Sequence, residues 1–303
     1  MDLDKTLLER ETSQLRFIWR TIVREYTGLA LTNPSDRLPA LSGLAKQMRM
    51  NRAMTDYLAG MWRQTLLEDL LWYTVAKNPA IKSTPWLAPS WSWAAIDAEI
   101  MFASIRNGLW HATVLKAYCK PAGSDPTGRV SEGILVVNGP LVPAGLQLTK
   151  EVERGYKYSL KPYGKPNPEA EAEADPALSP QWRHTVCADY SLPEEMDERA
   201  RSSAFHVYCL ALVTDKEHEY IEPYFFKGNY YKHGTFYLVL RCIDETLQMY
   251  ERIGLAWQEE SFPGDEEKLR SRHIEKIRQE TLSQSSSGNL FADTMPNSVI
   301  TIL

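Results

Sequence analysis

The chain has 303 residues and a formal net charge of −5, with 44% hydrophobic and 24% charged residues. This is an ordinary globular composition, and it excludes a disordered or fibrous chain. Because the balance is acidic and no basic block occurs, we expect no nucleic-acid partner. The length suits one large domain or two modest ones.

Targeting signals and cysteine usage indicate the compartment. No run of about 18 apolar residues occurs, so we expect no membrane partner. The start Met1–Lys5 lacks the basic and then apolar profile of a signal peptide. No C-x-x-C spacing occurs, which predicts reduced and mostly buried thiols. We therefore expect a cytoplasmic protein. The cysteines in question are Cys119, Cys187, Cys209 and Cys242.

The first third of the chain has helical periodicity. Apolar residues recur at helical spacing over Lys5–Tyr26, which predicts a first helix. A second helix is predicted to start near Pro39, because the missing N–H of proline suits a first turn. A third is predicted over Leu58–Tyr73, where the apolar residues again recur at helical spacing. Together these patterns predict a helical part over residues 1–95.

The middle of the chain favours strands, because it is rich in β-branched and aromatic residues. Asn138-Gly139 is a turn signal. Helices followed by strands predict an α+β fold, with an antiparallel or mixed sheet joined to the helical layer by a tryptophan-rich segment. The predicted strands are Leu109–Cys119, Gly133–Val142, Phe205–Thr214, Gly234–Ile243 and Met249–Trp257.

Two polar segments complete the organisation. Residues 165–180 are acidic and proline-rich, which predicts a mobile insertion. Residues 264–279 predict a charged C-terminal helix, whose mixed charges are typical of a solvated face. We therefore divide the chain into a helical part at 1–95, a β-rich part at 96–260, and a C-terminal helix and tail at 261–303, forming one cooperative unit.

Tryptophan is concentrated early in the chain. Trp91 and Trp93 share one face of an extended segment, because side chains alternate there. Such a pair fits either a packed junction between the helical part and the sheet or an aromatic pocket for a flat ligand. The residues of that pocket would be Asp36, Arg37, Trp62, Arg63, Trp91 and Trp93.

Polar residues near these tryptophans are candidates for chemistry. His111 is the candidate catalytic base, because imidazole titrates near neutral pH, and Asp97 is a candidate to orient it. Asp36 suits a helix N-cap, and Arg37 suits a carboxylate partner. Arg63 suits either an acidic partner or stacking on a tryptophan. A structural role remains the alternative for each residue.

Motifs for cofactor chemistry are missing from the sequence. It has no phosphate-binding loop, no H-E-x-x-H and no G-x-S-x-G, and no two histidines have metal-ligand spacing. We therefore expect no cofactor and no metal site.

Three blocks in the first third carry a family resemblance, together with a shorter block near the end. Residues 31–45 read LTNPSDRLPALSGLA, residues 57–73 read YLAGMWRQTLLEDLLWY, and residues 89–94 read PSWSWA. Residues 250–254 read YERIG. In content and spacing these blocks resemble a region of fungal heterokaryon-incompatibility (HET) domain proteins, and the similarity spans residues 15–257.

The resemblance is partial. In that family the blocks follow a HET domain with motifs resembling LSYxWG and WIDxxCINQ, and neither motif occurs here. The chain therefore resembles only the C-terminal region of such proteins, beginning with its own Met1. The resemblance implies a fungal, cytosolic recognition or regulatory module with a small-molecule or protein partner.

An enzyme is the alternative. A cofactor-independent isomerase, cyclase or hydrolase of fungal secondary metabolism needs only acid–base residues in a shaped aromatic pocket. That pocket would need at least about 300 Å³. The sequence leaves open whether the protein is an enzyme, and it does not give the oligomeric state.

Overall fold

The computed structural model describes residues 3–75, 81–105, 107–148, 158–162, 182–193, 196, 200, 204–215, 231–261 and 297–303. The helices are α1 (Leu3–Thr27), α2 (Ser42–Arg49) and the single turn α3 (Leu66–Asp69). The strands are β1 (Tyr57–Leu58), β2 (Met61–Trp62), β3 (Trp72–Thr74), β4 (Ile81–Lys82), β5 (Ile96–Asp97), β6 (Ile100–Phe102), β7 (Gly108–Trp110), β8 (Thr113–Pro121), β9 (Val130–Leu148), β10 (Tyr158–Pro162), β11 (Trp182–Ala188), β12 (Phe205–Asp215), β13 (Tyr231–Asp244), β14 (Met249–Ser261) and β15 (Asn297–Ile302).

The predicted α+β fold class is wrong, because strands dominate the described residues. The part predicted to be helical, residues 1–95, contains strands β1–β4 besides its helices. The described end of the chain is strand β15 rather than a helix. The predicted insertion at 165–180 and the predicted helix at 264–279 lie outside the described residues.

The first helix follows its prediction closely. Helix α1 spans Leu3–Thr27, and Trp19 and Val23 on its inner face are fully buried. Asp4 in the first turn and Arg24 in the last turn suit the helix dipole. The amphipathic pattern of its sequence therefore corresponds to a single buried face of the helix.

The third predicted helix is wrong. Its segment folds as β1, a tight turn, β2, a 3-10 turn and the short α3. Ala59 and Gly60 in the tight turn have φ of 48° and 92°, which no helix accommodates. Leu58, Met61 and Leu70 are all buried, so the apolar spacing reflects burial on several sides rather than one helical face.

One sheet of nine strands contains a closed ring. Strands β9, β10, β11, β14, β13 and β12 pair in this order, and β12 pairs back with β9, all antiparallel. Strands β8 and β15 pair with the first half of β9, and β7 extends the sheet beside β12. The ring and the N-terminal elements share one continuous apolar core.

The turn predicted at Asn138-Gly139 is also wrong, because β9 runs straight through it. A Cβ at Gly139 would lie 3.0 Å from the Cβ of Ala112 and 3.1 Å from Leu210. The glycine therefore marks a close approach within a strand rather than a turn.

Two further expectations concern thiols and membranes. All four cysteines are free, and Cys187 and Cys209 are buried. Burial raises the pKa of the Cys187 thiol to about 11 and that of Cys209 to about 12.

Among the helices of the described part, none has both the length and the apolar character to span a bilayer.

Candidate functional site

The carbonyl oxygen of Gly60 accepts hydrogen bonds from two of the tryptophans. Trp19 and Trp93 both donate from Nε1 to this oxygen, at 2.8 and 2.9 Å. Ser92 Oγ donates to the neighbouring Ala59 oxygen at 2.6 Å. A Cβ at Gly60 would lie 2.7 Å from the Trp93 ring, so only glycine fits. The Gly60 carbonyl therefore joins both helix α1, through Trp19, and the Trp93 segment to the turn between β1 and β2.

Trp91 belongs to a second set of packed contacts, centred on Arg252. Trp72 Nε1 donates to the Trp91 oxygen at 2.9 Å, and the Arg252 guanidinium lies 3.6 Å from the Trp72 ring centroid. All three guanidinium nitrogens donate: Nε to Asp189 at 2.8 Å, Nη1 to the Leu70 oxygen at 2.7 Å, and Nη2 to the Trp72 oxygen at 2.6 Å. Burial raises the pKa of Asp189 to about 6, although the Arg252 charge opposes this. We call these residues the Arg252 junction.

Trp62 and Arg63 are also used in packing. Trp62 is fully buried and meets the Trp19 ring edge-on at 5.4 Å. Arg63 donates from Nε to Asp56 at 2.9 Å and from Nη2 to the Ala117 oxygen of β8 at 2.6 Å. The sequence left two roles open for Arg63, pairing with an acidic residue or stacking on a tryptophan. The structure shows the pairing, with Asp56.

The two candidate catalytic residues are not hydrogen-bonded to each other. The ring nitrogen Nε2 of His111 lies 2.7 Å from Thr214 Oγ1, whose oxygen lies 2.7 Å from Thr235 Oγ1. Asp97 pairs with Arg37 instead. Through Nε2, His111 thus contacts strand β12, and Thr214 extends this contact to β13.

Arg37 is buried but incompletely hydrogen-bonded. Asp36 does not cap the second helix as predicted: it lies within a 3-10 turn, Pro34–Asp36, that is capped by Asn33, and α2 follows Leu41, which makes no side-chain cap bond. Arg37 is 2% exposed, and its Nη2 pairs with the half-exposed Asp97. Its Nε and Nη1 are buried without a partner among the described residues. Burial lowers the pKa of Arg37, and the Asp97 charge opposes this.

A cavity of about 260 Å³ lies beside the exposed side chain of Trp86, and we call it the Glu251 cavity. Glu251 accepts hydrogen bonds from Lys82, Arg241 and, at 3.1 Å, the Tyr190 hydroxyl. Burial alone would raise the pKa of Glu251, but the Lys82 and Arg241 partners lower it below its ordinary value. The carboxylate is therefore held ionised by its neighbours.

A second cavity, of about 220 Å³, is also lined by Trp86, and we call it the Arg37 cavity. Arg37 and Arg129 are the charged side chains of its lining. Trp86 and Leu87 line both cavities, and Trp86 is 48% exposed. We call the two cavities together the Trp86 groove.

The Trp86 groove carries an excess of positive charge. Among the described residues, its lining holds five cationic side chains and two carboxylate side chains, together with the last residue, Leu303, whereas the whole chain has a net charge of −5. A local field of opposite sign to the whole molecule favours an anionic ligand there. The charged lining residues are Arg37, Lys82, Arg129, Arg241 and Arg252, with Asp189 and Glu251.

Sequence reasoning gave Arg37 but missed the rest of the Trp86 groove. One signal was available, because Trp86 lies in the short segment Pro85–Pro89 between two prolines, outside any periodic apolar run. A tryptophan in a turn-like segment is a better candidate for exposure than one at core spacing. Trp62, Trp91 and Trp93 line neither cavity.

Comparisons with known proteins add no assignment: no family model, no curated protein and no solved structure matches the chain. In the part of the chain that the structure describes, no group of three or more His, Cys, Asp or Glu side chains is placed to hold a metal ion.

Proposed function

We propose that this protein is a cytosolic recognition or regulatory module, resembling the region downstream of the HET domain in fungal proteins, and that the Trp86 groove is its ligand-binding surface. The observation that carries the proposal is the position of Trp86, which is 48% exposed and forms a wall of two cavities with cationic linings. An exposed aromatic with charged groups around it is typical of a binding surface.

The ionic contacts in the groove support binding rather than turnover. Glu251 accepts from three partners, and Asp189 accepts from Arg252. A general base must accept a proton from the substrate, so its lone pairs need to be accessible. These carboxylates are instead occupied in holding the groove together.

The pocket geometry gives less support to the alternative of a secondary-metabolism enzyme. That alternative needs an aromatic pocket of at least about 300 Å³. The two cavities measure about 260 and 220 Å³, and the buried tryptophans of the predicted pocket line neither. We therefore favour recognition.

A thermal-shift screen tests the proposal. Wild-type protein and the variant Trp86→Ala are melted against fractions of a fungal metabolite extract. A ligand that binds the folded state raises the melting temperature by mass action. We expect fractions that stabilise the wild type and lose that effect with Trp86→Ala. The control is Leu115→Ala, which removes a side chain 56% exposed on β8, outside the groove, and should keep every shift.

Two results would contradict the proposal. Stabilising fractions that act equally on Trp86→Ala would place the ligand elsewhere. Conversion of a bound compound into a product, detected by mass spectrometry and lost in Tyr190→Phe, would show an enzyme that uses the Glu251 cavity.

A further inference from the structure

Arg37 is a lining residue of the Arg37 cavity, and its guanidinium has hydrogen-bond donors without a partner among the described residues. Arg37 is 2% exposed, and its Nε and Nη1 have no partner among the described residues. Its one ionic partner there, Asp97, has a side chain 60% exposed and contacts only Nη2. A buried donor without a partner is costly, and more so when it is charged. The ligand-free protein therefore keeps a guanidinium that a further acceptor would stabilise.

The main chain of Arg37 is fixed before any ligand arrives. Its amide donates to the Pro34 oxygen at 3.2 Å, and the Tyr26 hydroxyl of α1 donates to its carbonyl oxygen at 2.9 Å. The next residue, Leu38, is buried in the core. A group held in place from two elements loses little conformational freedom when it binds a partner.

A second arginine lines the same cavity from the β8–β9 loop. Arg129 is exposed, and its carbonyl oxygen accepts from the Ala122 amide at 2.8 Å across that loop. Of the residues that the structure describes, the charged ones in this lining are Arg37 and Arg129, and none carries a carboxylate. Planar guanidinium groups match the paired oxygens of carboxylates and phosphates better than lysine does.

These contacts deepen the proposed function and rest on it. The geometry points to an anion subsite in the Arg37 cavity, where Arg37 and Arg129 bind a carboxylate or phosphate group of a small molecule and Trp86 packs against its apolar part. The volume of about 220 Å³ suits one such group with a few attached atoms rather than a whole large ligand. The rest of the ligand passes Trp86 toward the Glu251 cavity.

Calorimetric titration of the full chain tests the subsite. The probes are inorganic phosphate and citrate, each at an ionic strength held constant with potassium chloride. We expect saturable binding by the wild type, at least tenfold weaker in Arg37→Met and in Arg129→Met. The stronger of the two probes identifies phosphate or carboxylate as the preferred group. The matched control is Arg52→Met, which removes an exposed arginine outside both cavities and should bind as the wild type does.

Arg129→Met keeps the test valid if Arg37→Met folds poorly, because the side chain of Arg129 is exposed. The subsite is overturned if neither probe gives saturable heat with the wild type, or if Arg129→Met binds both probes unchanged. A neutral ligand that depends on Trp86, without any anion binding, would overturn the subsite and leave the recognition module. Anion binding by the two arginines, without any ligand that depends on Trp86, would retain the subsite and overturn the proposed function.

Discussion

Two buried arginines in this protein have opposite degrees of hydrogen bonding. Arg252 is 0% exposed, and each of its three nitrogens donates to an acceptor within the fold. Arg37 is 2% exposed, yet only Nη2 has a partner among the described residues. Every nitrogen of the Arg252 guanidinium thus has an acceptor, whereas the Arg37 guanidinium has two nitrogens without one among the described residues.

Within one tryptophan-rich segment, this difference distinguishes the buried tryptophans, which have packing roles, from the exposed tryptophan of the candidate site. Trp91 and Trp93 are fully buried in the packing around Gly60 and the Arg252 junction; Trp93 Nε1 donates to the Gly60 oxygen, whereas Trp91 Nε1 has no partner among the described residues. Trp86, only a few residues earlier, is exposed and lines the Arg37 cavity. Buried polar groups that are fully paired stabilise one conformation, and those that lack partners are candidates for ligands.

The largest expected effect comes from breaking the Arg252 junction. Arg252→Met leaves Asp189 as a buried carboxylate without its counter-ion, so we expect a loss of about 3–5 kcal/mol in the free energy of unfolding. The measurement is denaturant unfolding. As a control, the double variant Arg252→Met with Asp189→Leu should recover much of that loss. A single variant as stable as the wild type would contradict a structural role for this pair.

The next effect comes from Gly60, where packing and backbone conformation act together. Gly60→Ala puts a Cβ 2.7 Å from the Trp93 ring at a φ of 92°. We expect a loss of about 3 kcal/mol from the left-handed backbone and the overpacking combined. Gly43→Ala is the matched control, because a Cβ at this position in α2 meets nothing within 4 Å. Equal stability of the two variants in thermal unfolding would refute the close contact.

Glu251 gives a pH-dependent effect. Its pKa in the folded protein is lowered from 4.5, so its contribution to stability is present above that pH and is lost as the pH falls through the lower folded value. We expect Glu251→Gln to be less stable than the wild type by about 1–2 kcal/mol at neutral pH. The difference should shrink in acid. Urea titrations at several pH values measure it, and a difference independent of pH would be inconsistent with the ionic contacts.

The smallest expected effect on stability is that of Arg37→Met. The variant removes buried donors that have no hydrogen-bond partner among the described residues. It leaves Asp97, whose side chain is 60% exposed and stays hydrated. We expect the free energy of unfolding to change by less than about 1 kcal/mol, as for other partly exposed pairs. A loss as large as that of Arg252→Met would show that the two arginines do not differ, and the comparison would fail.

The sequence predicts the strongly periodic elements well. The sequence predicts helix α1 because that helix buries one face, and strands β12, β13 and β14 because their segments are rich in apolar and aromatic residues. The segment from Leu58 to Tyr73 misled the prediction, since its apolar residues are buried on several sides. Gly60 was the overlooked signal there, because its φ of 92° marks a turn that periodicity does not reveal.

The groove could not be predicted from spacing alone. Arg241 and Glu251 are direct partners across the β13–β14 pair, which becomes visible only once the register is known. Lys82 and Arg129 come from segments that are distant in sequence. The sequence pattern predicted a packed junction as one of two alternatives for Trp91 and Trp93. It could not show that Trp86 is exposed outside that junction.

Anion and cation quenching of tryptophan fluorescence shows whether an exposed Trp86 lies among cationic groups. Iodide and caesium are added separately to the wild type, Trp86→Phe and Trp93→Phe. We expect that, with each ion's quenching expressed relative to that of N-acetyltryptophanamide, iodide quenches more strongly than caesium, because Trp86 lies among cationic groups, and that Trp86→Phe loses much of this quenching while Trp93→Phe keeps it. Equal quenching by both ions, or loss of the quenching with Trp93→Phe, would contradict it.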